Sequence, residues 1–251
     1  MSFHPLKILL IGHGKMGKAI EETALGRGHS IAAVVSESHS DIGSICRSFR
    51  PDVAFEFTSP AAAAANLEAV VTAGVPVICG STGWLSDWDR LSALTEETGG
   101  TLFYSANFSI GMNLMFALTE LAARWMDVLP EYEIGLSEIH HTEKQDRPSG
   151  TALHLAGLLT GHIGRKKSWK LDSKSSGSVI GVEAMRLPQV PGTHEVRFES
   201  EADTIQLIHT AHSRRGFALG AVLAAEWLRG KKGVLGMHDF LADRLKKIKP
   251  E

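Results

Sequence analysis

The chain has 251 residues, 43% of them hydrophobic and 22% charged, the usage of an ordinary globular protein with room for one large core or two modest ones. A net charge of −2 excludes the broad basic field that nucleic acid or an anionic membrane would need, so an anionic ligand must be attracted by a local cluster. No apolar run approaches the roughly 20 residues of a membrane span. The first residues lead straight into a strand pattern without a secretory leader, and the two cysteines, Cys46 and Cys79, fit a reducing compartment better than a disulfide framework. The expectation is a cytoplasmic protein with no nucleic-acid or membrane partner.

In chain order, Leu6–Ile11 is a short apolar run of the kind a parallel strand shows when both its faces are buried. Lys15–Arg27 reads as a helix stopped by Gly28. Ile31–Val35, Val53–Phe57, Val75–Cys79 and Thr101–Ser105 are further strands. Pro60–Ala73 and Asp87–Glu97 are helices between them, the first with proline in its opening turn followed by helix-favouring alanines. Strands alternating with helices imply right-handed βαβ units and a parallel sheet, so this half is α/β.

The pattern changes after about Asn107. A long helix, Met112–Met126, precedes a strand, Tyr132–Ile139, and a polar loop, His140–Pro148. Thr151–Ile163 is an amphipathic helix with Leu155, Leu158, Leu159 and Ile163 on one side. Gly164–Gly177 reads as an exposed loop. The strands Val179–Arg186, Glu195–Glu199 and Thr204–His209 follow with little helix between them, which predicts a second, α+β domain with a mixed sheet. Phe217–Gly230 and Asp239–Lys247 are helical again.

Gly12-His13-Gly14-Lys15-Met16-Gly17 fits G-x-G-x-x-G between the first strand and the first helix. In that position Gly12 permits the tight turn and Gly14 lets the backbone approach a pyrophosphate. Gly17 lets helix and strand pack closely, and the helix start supplies unpaired N–H groups. The alternative is a glycine-rich turn that binds nothing. An acid about 20 positions further on would bond ribose hydroxyls. Glu37 lies there, with Ser36 in the first position after the strand, and the pattern does not choose between NADH and NADPH. Gly80-Ser81-Thr82 and Ser105-Ala106-Asn107-Phe108 follow later strands, where small and hydroxyl-bearing residues permit contact with ribose and nicotinamide; each taken alone is equally an ordinary turn.

The segment Glu138–Ala152 runs from a strand end to a helix start. Strand alternation puts Glu138 and His140 on one face, so the carboxylate can orient or charge the imidazole. His141 and Lys144 add hydrogen-bonding or cationic groups, and Pro148-Ser149-Gly150-Thr151 opens a helix whose free N–H groups suit an anion. Proton transfer with anion binding competes here with a purely structural reading. A zinc site built from His140, His141 and His154 lacks supporting Cys, Asp or Glu spacing, and Lys144 opposes a cation; no metal is expected.

The run Glu-Ile-His-His-Thr-Glu-Lys-Gln-Asp-Arg-Pro-Ser-Gly-Thr-Ala closely resembles the signature E-x-H-H-x-x-K-x-D-x-P-S-G-T-A of the 4-hydroxy-tetrahydrodipicolinate reductases, formerly dihydrodipicolinate reductases. The resemblance covers most of the chain, through Gly14–Gly17, Phe57-Thr58-Ser59-Pro60, Gly80–Gly83, Ala106–Ser109, His209–Arg214 and Phe217–Ala221. It implies hydride transfer from NADH or NADPH to the ring of a small cyclic dicarboxylate, giving tetrahydrodipicolinate in diaminopimelate and lysine biosynthesis. It further implies His140 as general acid and Lys144 as a second proton donor or substrate-binding cation. His141, Gly150 and Thr151 would bind carboxylates, and Gly12–Gly17, Gly80–Thr82 and Ser105–Phe108 would contact the cofactor. The implied architecture is a Rossmann-type dinucleotide-binding domain, residues 1–108 with 221–251, hinged to an α+β substrate domain, 109–220, in a homotetramer. Two features depart from the family pattern: the first gap of the glycine loop is one residue short, and Arg147 stands where a small residue is usual. Arg147 would either tighten substrate binding or narrow the entrance. The rival readings are another two-domain dehydrogenase acting on aspartate or an amino-acid-derived aldehyde, and an NAD-binding redox sensor without catalysis.

Overall fold

The computed structural model describes residues 4–36 and 41–246. The chain divides into two compact units, Met1–Ser109 with Arg214–Glu251, and Ile110–Ser213.

In the first unit β1 (Lys7–Ile11), α1 (Lys15–Gly26), β2 (Ser30–Val35), α2 (Ile42–Phe49), β3 (Val53–Glu56), α3 (Pro60–Thr72), β4 (Val77–Cys79), α4 (Trp88–Glu97) and β5 (Thr101–Tyr104) alternate in order. The helix α2 and its caps were not evident in the sequence: the Asp41 carboxylate accepts from the Ser44 amide at 2.7 Å, and Arg50 closes the helix in the left-handed region. A burial requirement on both faces explains the unbroken apolar runs of β1, β3 and β4, whose residues after Lys7 are all buried.

The second unit opens with α5 (Ile110–Met126) and continues through β6 (Glu133–His140), α6 (Gly150–His162), β7 (Ser168–Leu171), β8 (Val179–Arg186), β9 (Thr193–Glu199) and β10 (Thr204–Thr210). Its sheet has the order β10-β9-β6-β8-β7, with β9 antiparallel to both β6 and β10 and β8 parallel to both β6 and β7. This is the mixed sheet expected. The core lies between one sheet face and the two helices, built from Met112, Met115, Ile134, Leu136, Leu155, Leu159, Val196 and Phe198 among others. The expectation of an exposed loop over Gly164–Gly177 holds for the exposure of most of the segment and is corrected in two places. The segment contains β7, and the Lys166 side chain is 1% exposed, donating to the Gly177 carbonyl at 2.7 Å and pairing with Glu133. Its lysine–serine composition suggested solvent, which holds for Lys167, Lys170 and Lys174 but not for Lys166.

The chain then returns to the first unit with α7 (Arg215–Trp227), β11 (Gly233–Gly236) and α8 (Met237–Leu245). The first sheet is thereby completed as β11-β5-β4-β3-β1-β2, parallel throughout. The strand order reverses beside β1, so the loops that leave β1 and β3 flank a crevice at the carboxyl ends of the strands, where α/β sheets bind ligands. Helix α7 packs against α1, fastened by Arg27, which donates to Glu226 from Nε at 2.7 Å and Nη2 at 2.9 Å. Among the described residues no helix is long and apolar enough to cross a membrane.

Candidate active site

In the first unit the glycine loop leaves β1 as the sequence suggested. Gly12 has φ +94°, and a Cβ there would stand 2.2 Å from the Phe57 carbonyl oxygen; at Gly17 it would stand 2.1 Å from that of Gly12. Gly14 by contrast faces open space. It is the N-cap of α1 without a side-chain cap, and no acid occupies the first turn. Close packing below and open backbone N–H groups above make a cradle that fits a pyrophosphate. Lys15 is exposed and Met16 half-buried, while the His13 ring turns back to Glu21, with Nε2 2.7 Å from Oε2.

The other expected cofactor loops also end parallel strands. Ser81 is buried and its hydroxyl accepts from the Thr58 amide at 2.8 Å, joining the loops after β3 and β4; Thr82 is exposed beside it. Ser105 donates to the Asn107 carbonyl at 2.8 Å, and the Asn107 side chain accepts from the Ser109 amide at 2.9 Å, leaving Ala106 exposed at the turn. The Phe108 ring is core, stacked on Phe103 with centroids 5.8 Å apart. Ser36 is exposed at the end of β2, and Glu37 lies outside the described residues.

The second unit carries the polar cluster. Along β6 the pleat buries Ile134, Leu136, Glu138 and His140 on one face, so the hydrophobic stripe ends in a carboxylate and an imidazole. Glu138 is fully buried and accepts from the Ser149 amide at 3.1 Å, the Ser149 hydroxyl, and Arg186 Nη2 at 3.0 Å. His140 Nδ1 lies 3.4 Å from Glu138 Oε2, and His194 Nε2 lies 3.6 Å from the same oxygen. Burial alone would push the Glu138 carboxyl up; His140, His194 and Ser149 outweigh it and hold the group well below the usual carboxylate range. Ser149 caps α6, its hydroxyl oxygen accepting from the Ala152 amide at 3.2 Å. Since its single proton goes to Glu138, His194 Nε2 at 3.2 Å must be the donor toward that oxygen. Burial pushes His194 down, which favours the neutral ring.

The Nε2 edge of His140 faces Gly192, where φ is +155° and a Cβ would come within 3.0 Å. Lys144 Nζ pairs with Asp146 at 2.8 Å, on a turn closed by the Lys144 amide donating to the His141 carbonyl at 3.1 Å. His141 is half-buried in that turn. Gly150 is exposed at the first position of α6, with Thr151 next to it. Arg147, the departure noted above, donates to the Ala184 carbonyl at 3.0 Å and to Asp172 at 2.7 Å, bracing the loop against the neighbouring strand and turn. Sequence reasoning missed Arg186, His194 and Gly192; each reaches the site across the sheet, and the registers His140↔Arg186 and Glu138↔His194 exist only once the strands pair.

Glu138, His140 and His194 could ligate a metal by proximity, their ligand atoms lying within 4.8 Å of one another. The permanently charged Arg186 bound to the same carboxylate opposes a cation there, and the cluster is better described as a proton-bearing network.

A dinucleotide cradle on one unit and a buried carboxylate–imidazole pair beside a lysine and a helix start on the other define a two-domain nicotinamide-dependent oxidoreductase. Comparison with known proteins makes the class specific. Residues 6–108 match the family model for the N-terminus of dihydrodipicolinate reductase, and residues 111–241 match that for its C-terminus. The chain belongs to the dihydrodipicolinate reductase family. It is 39% identical over 244 residues to the 4-hydroxy-tetrahydrodipicolinate reductase of Christiangramia forsetii, covering 96% of this chain and 100% of the relative. The enzyme of the same name from Methanospirillum hungatei is 36% identical over 215 residues, 84% of this chain and 82% of that one. The fold matches a dipicolinate-bound dihydrodipicolinate reductase from Paenisporosarcina sp. TG-14 with TM-score 0.77 and 22% identity, covering 93% of this chain and 98% of the other. An amine dehydrogenase from Mycobacterium smegmatis, at TM-score 0.62 and 12% identity over 92% of this chain and 95% of its own, shares the fold alone.

Proposed function

We infer that this chain reduces 4-hydroxy-tetrahydrodipicolinate, or the dihydrodipicolinate it yields, to tetrahydrodipicolinate with NADH or NADPH, a step of diaminopimelate and lysine biosynthesis. The observation that carries the reading is the loop from Glu138 to Thr151, which holds a paired imidazole, a lysine and the start of helix α6 in one continuous stretch. In this proposal Met1–Ser109 with Arg214–Glu251 is the dinucleotide-binding domain and Ile110–Ser213 the substrate domain. Gly12, His13, Gly14, Lys15, Met16 and Gly17, Ser36 and Glu37, Gly80–Thr82 and Ser105–Phe108 hold the cofactor, which supplies the hydride when bound.

Hydride addition to a conjugated imine or alkene leaves negative charge on the ring, which a neighbouring acid must quench. His140 donates that proton from Nε2, the ring being oriented by Glu138 at Nδ1. Lys144 stands as second donor or as the cation for a carboxylate. His141 and the Gly150 and Thr151 backbone N–H groups at the α6 start receive the substrate's carboxylates. The redox-sensor rival has no use for such proton-bearing groups.

The same proposal places the protein in the cytoplasm as a homotetramer. The outer face of the second sheet, which the 173–175 turn covers only at the Gly181 end, supports assembly. There Met185 (42% exposed) and Ile208 (57% exposed) lie among Glu183, Glu195 and Arg197, opposite charges that suit self-pairing. Sedimentation of the wild type and of Arg197→Glu tests it; a monomeric wild type would refute assembly.

The deciding experiment follows loss of nicotinamide absorbance with substrate made in situ from pyruvate and aspartate semialdehyde, with each cofactor and with His140→Ala as control. Consumption that disappears in His140→Ala is expected. A folded, cofactor-binding protein that consumes neither cofactor would overturn the assignment.

A further inference from the structure

Arg186 ends β8 directly beside His140 of β6 in the parallel register. Its side chain, 15% exposed, uses every nitrogen. Nη2 donates to Glu138 Oε1 at 3.0 Å and to the Asp146 carbonyl, Nε donates to the Lys144 carbonyl at 3.3 Å, and Nη1 donates to the Met185 carbonyl at 2.8 Å. One planar fork therefore grips the strand end that bears His140 and the turn that bears Lys144.

We propose that Arg186 is a positioning residue for the reductase reaction, fixing His140 through Glu138 and Lys144 through the carbonyls of its own loop. This rests on the roles given to His140 and Lys144 above. The segment between His141 and Pro148 has no regular structure, so its place depends on what holds its carbonyls. Arg147 braces it from one side through Ala184 and Asp172, and Arg186 is the brace that also touches the carboxylate of the imidazole pair. A lysine at this position would reach the carboxylate as a point charge without spanning two carbonyls, because only the guanidinium has donors in a rigid fork. Losing the fork also leaves the buried Glu138 charge without its permanent cation, with the imidazoles of His140 and His194 and the Ser149 amide and hydroxyl as its remaining partners.

The test uses the full chain with Arg186→Ala and Arg186→Lys, measuring kcat, KM, cofactor affinity by nicotinamide fluorescence, and thermal unfolding. A positioning role predicts that Arg186→Ala loses about 100-fold in kcat, the scale of a roughly 1 Å misplacement, with cofactor affinity retained. Guanidinium ion in solution should restore about tenfold of that loss saturably, and methylammonium should not, since only the former matches the fork. Arg186→Lys keeps the charge and the fold and should still lose at least about tenfold in kcat, so it carries the test if the alanine variant does not fold. Either variant folding with kcat within about threefold of wild type would overturn the proposal, as would a guanidinium-insensitive loss that only follows the unfolded fraction. If His140→Ala itself is fully active, the catalytic reading fails; if His140→Ala is inactive and Arg186→Ala active, the positioning role alone fails.

Discussion

Replacing Glu138 by glutamine keeps the size of a fully buried side chain, removes its charge and exchanges one acceptor oxygen for an NH2 donor. That donor would face groups that are donors themselves: the Ser149 amide and hydroxyl on one side and Arg186 on the other. Removing one partner of a buried charged pair costs about 3–5 kcal/mol. Arg186 keeps the Lys144 and Asp146 carbonyls, so the lower end, about 3 kcal/mol, applies here. At about 2–4 °C per kcal/mol for a chain of this size, unfolding should come about 6–12 °C earlier at pH 7. The pH dependence is a sharper measurement. The Glu138 carboxyl is depressed in the folded state, so its contribution is complete above the ordinary glutamate value of about 4.3 and is lost as pH falls below that toward the folded value. Through the histidine range the difference between the proteins also includes His194, whose protonation burial disfavours and Glu138 favours. Below about pH 4.3 the wild type alone carries the Glu138 loss, and the gap should close by up to about 1.4 kcal/mol per pH unit. Urea unfolding followed by tryptophan fluorescence, without cofactor, between pH 7.5 and 3 gives both quantities. A variant as stable as wild type at pH 7, or a gap that widens below pH 4, would refute the reasoning.

Three further outcomes are expected. Gly17→Ala places a Cβ 2.1 Å from the Gly12 carbonyl oxygen, so α1 must move off β1; cofactor dissociation constants should rise at least about tenfold, read by fluorescence titration. Gly192→Ala brings a methyl within 3.0 Å of His140 Nε2 at φ +155°, and kcat should fall by about tenfold to 100-fold while cofactor affinity is unchanged. Burial and the neighbouring Glu56 push the Cys79 thiol well up, and burial raises Cys46, so an aromatic disulfide reagent at pH 8 should titrate no thiol in the native protein and both after denaturation.

Much of this was legible because the signals were local. The period of β6, the glycines of the loop after β1 and the proline-led alanines of α3 each declare themselves within a dozen residues. The strands β7 and β11, four residues each, are half-exposed or exposed along all their length and too short for their pattern to stand out, so they form only because a neighbouring strand offers its edge. The site divides in the same way. Glu138, His140 and Lys144 share one segment and could be read together. Arg186 and His194 enter through strand registers, and nothing near either residue distinguishes it from a surface arginine or a strand-end histidine.

The discontinuity of the first unit bears on how the chain is made. Residues 110–213 form a contiguous unit with its own sheet and core, so it can close as soon as it leaves the ribosome. The parallel sheet cannot: the edge of β5 stays open until β11 arrives, and α1 lacks α7 and the Glu226 carboxylate that fastens Arg27. An unfinished strand edge is a template for misassociation, and here it persists through the synthesis of an entire domain. The nascent protein therefore makes its second unit before it can finish the sheet of its first.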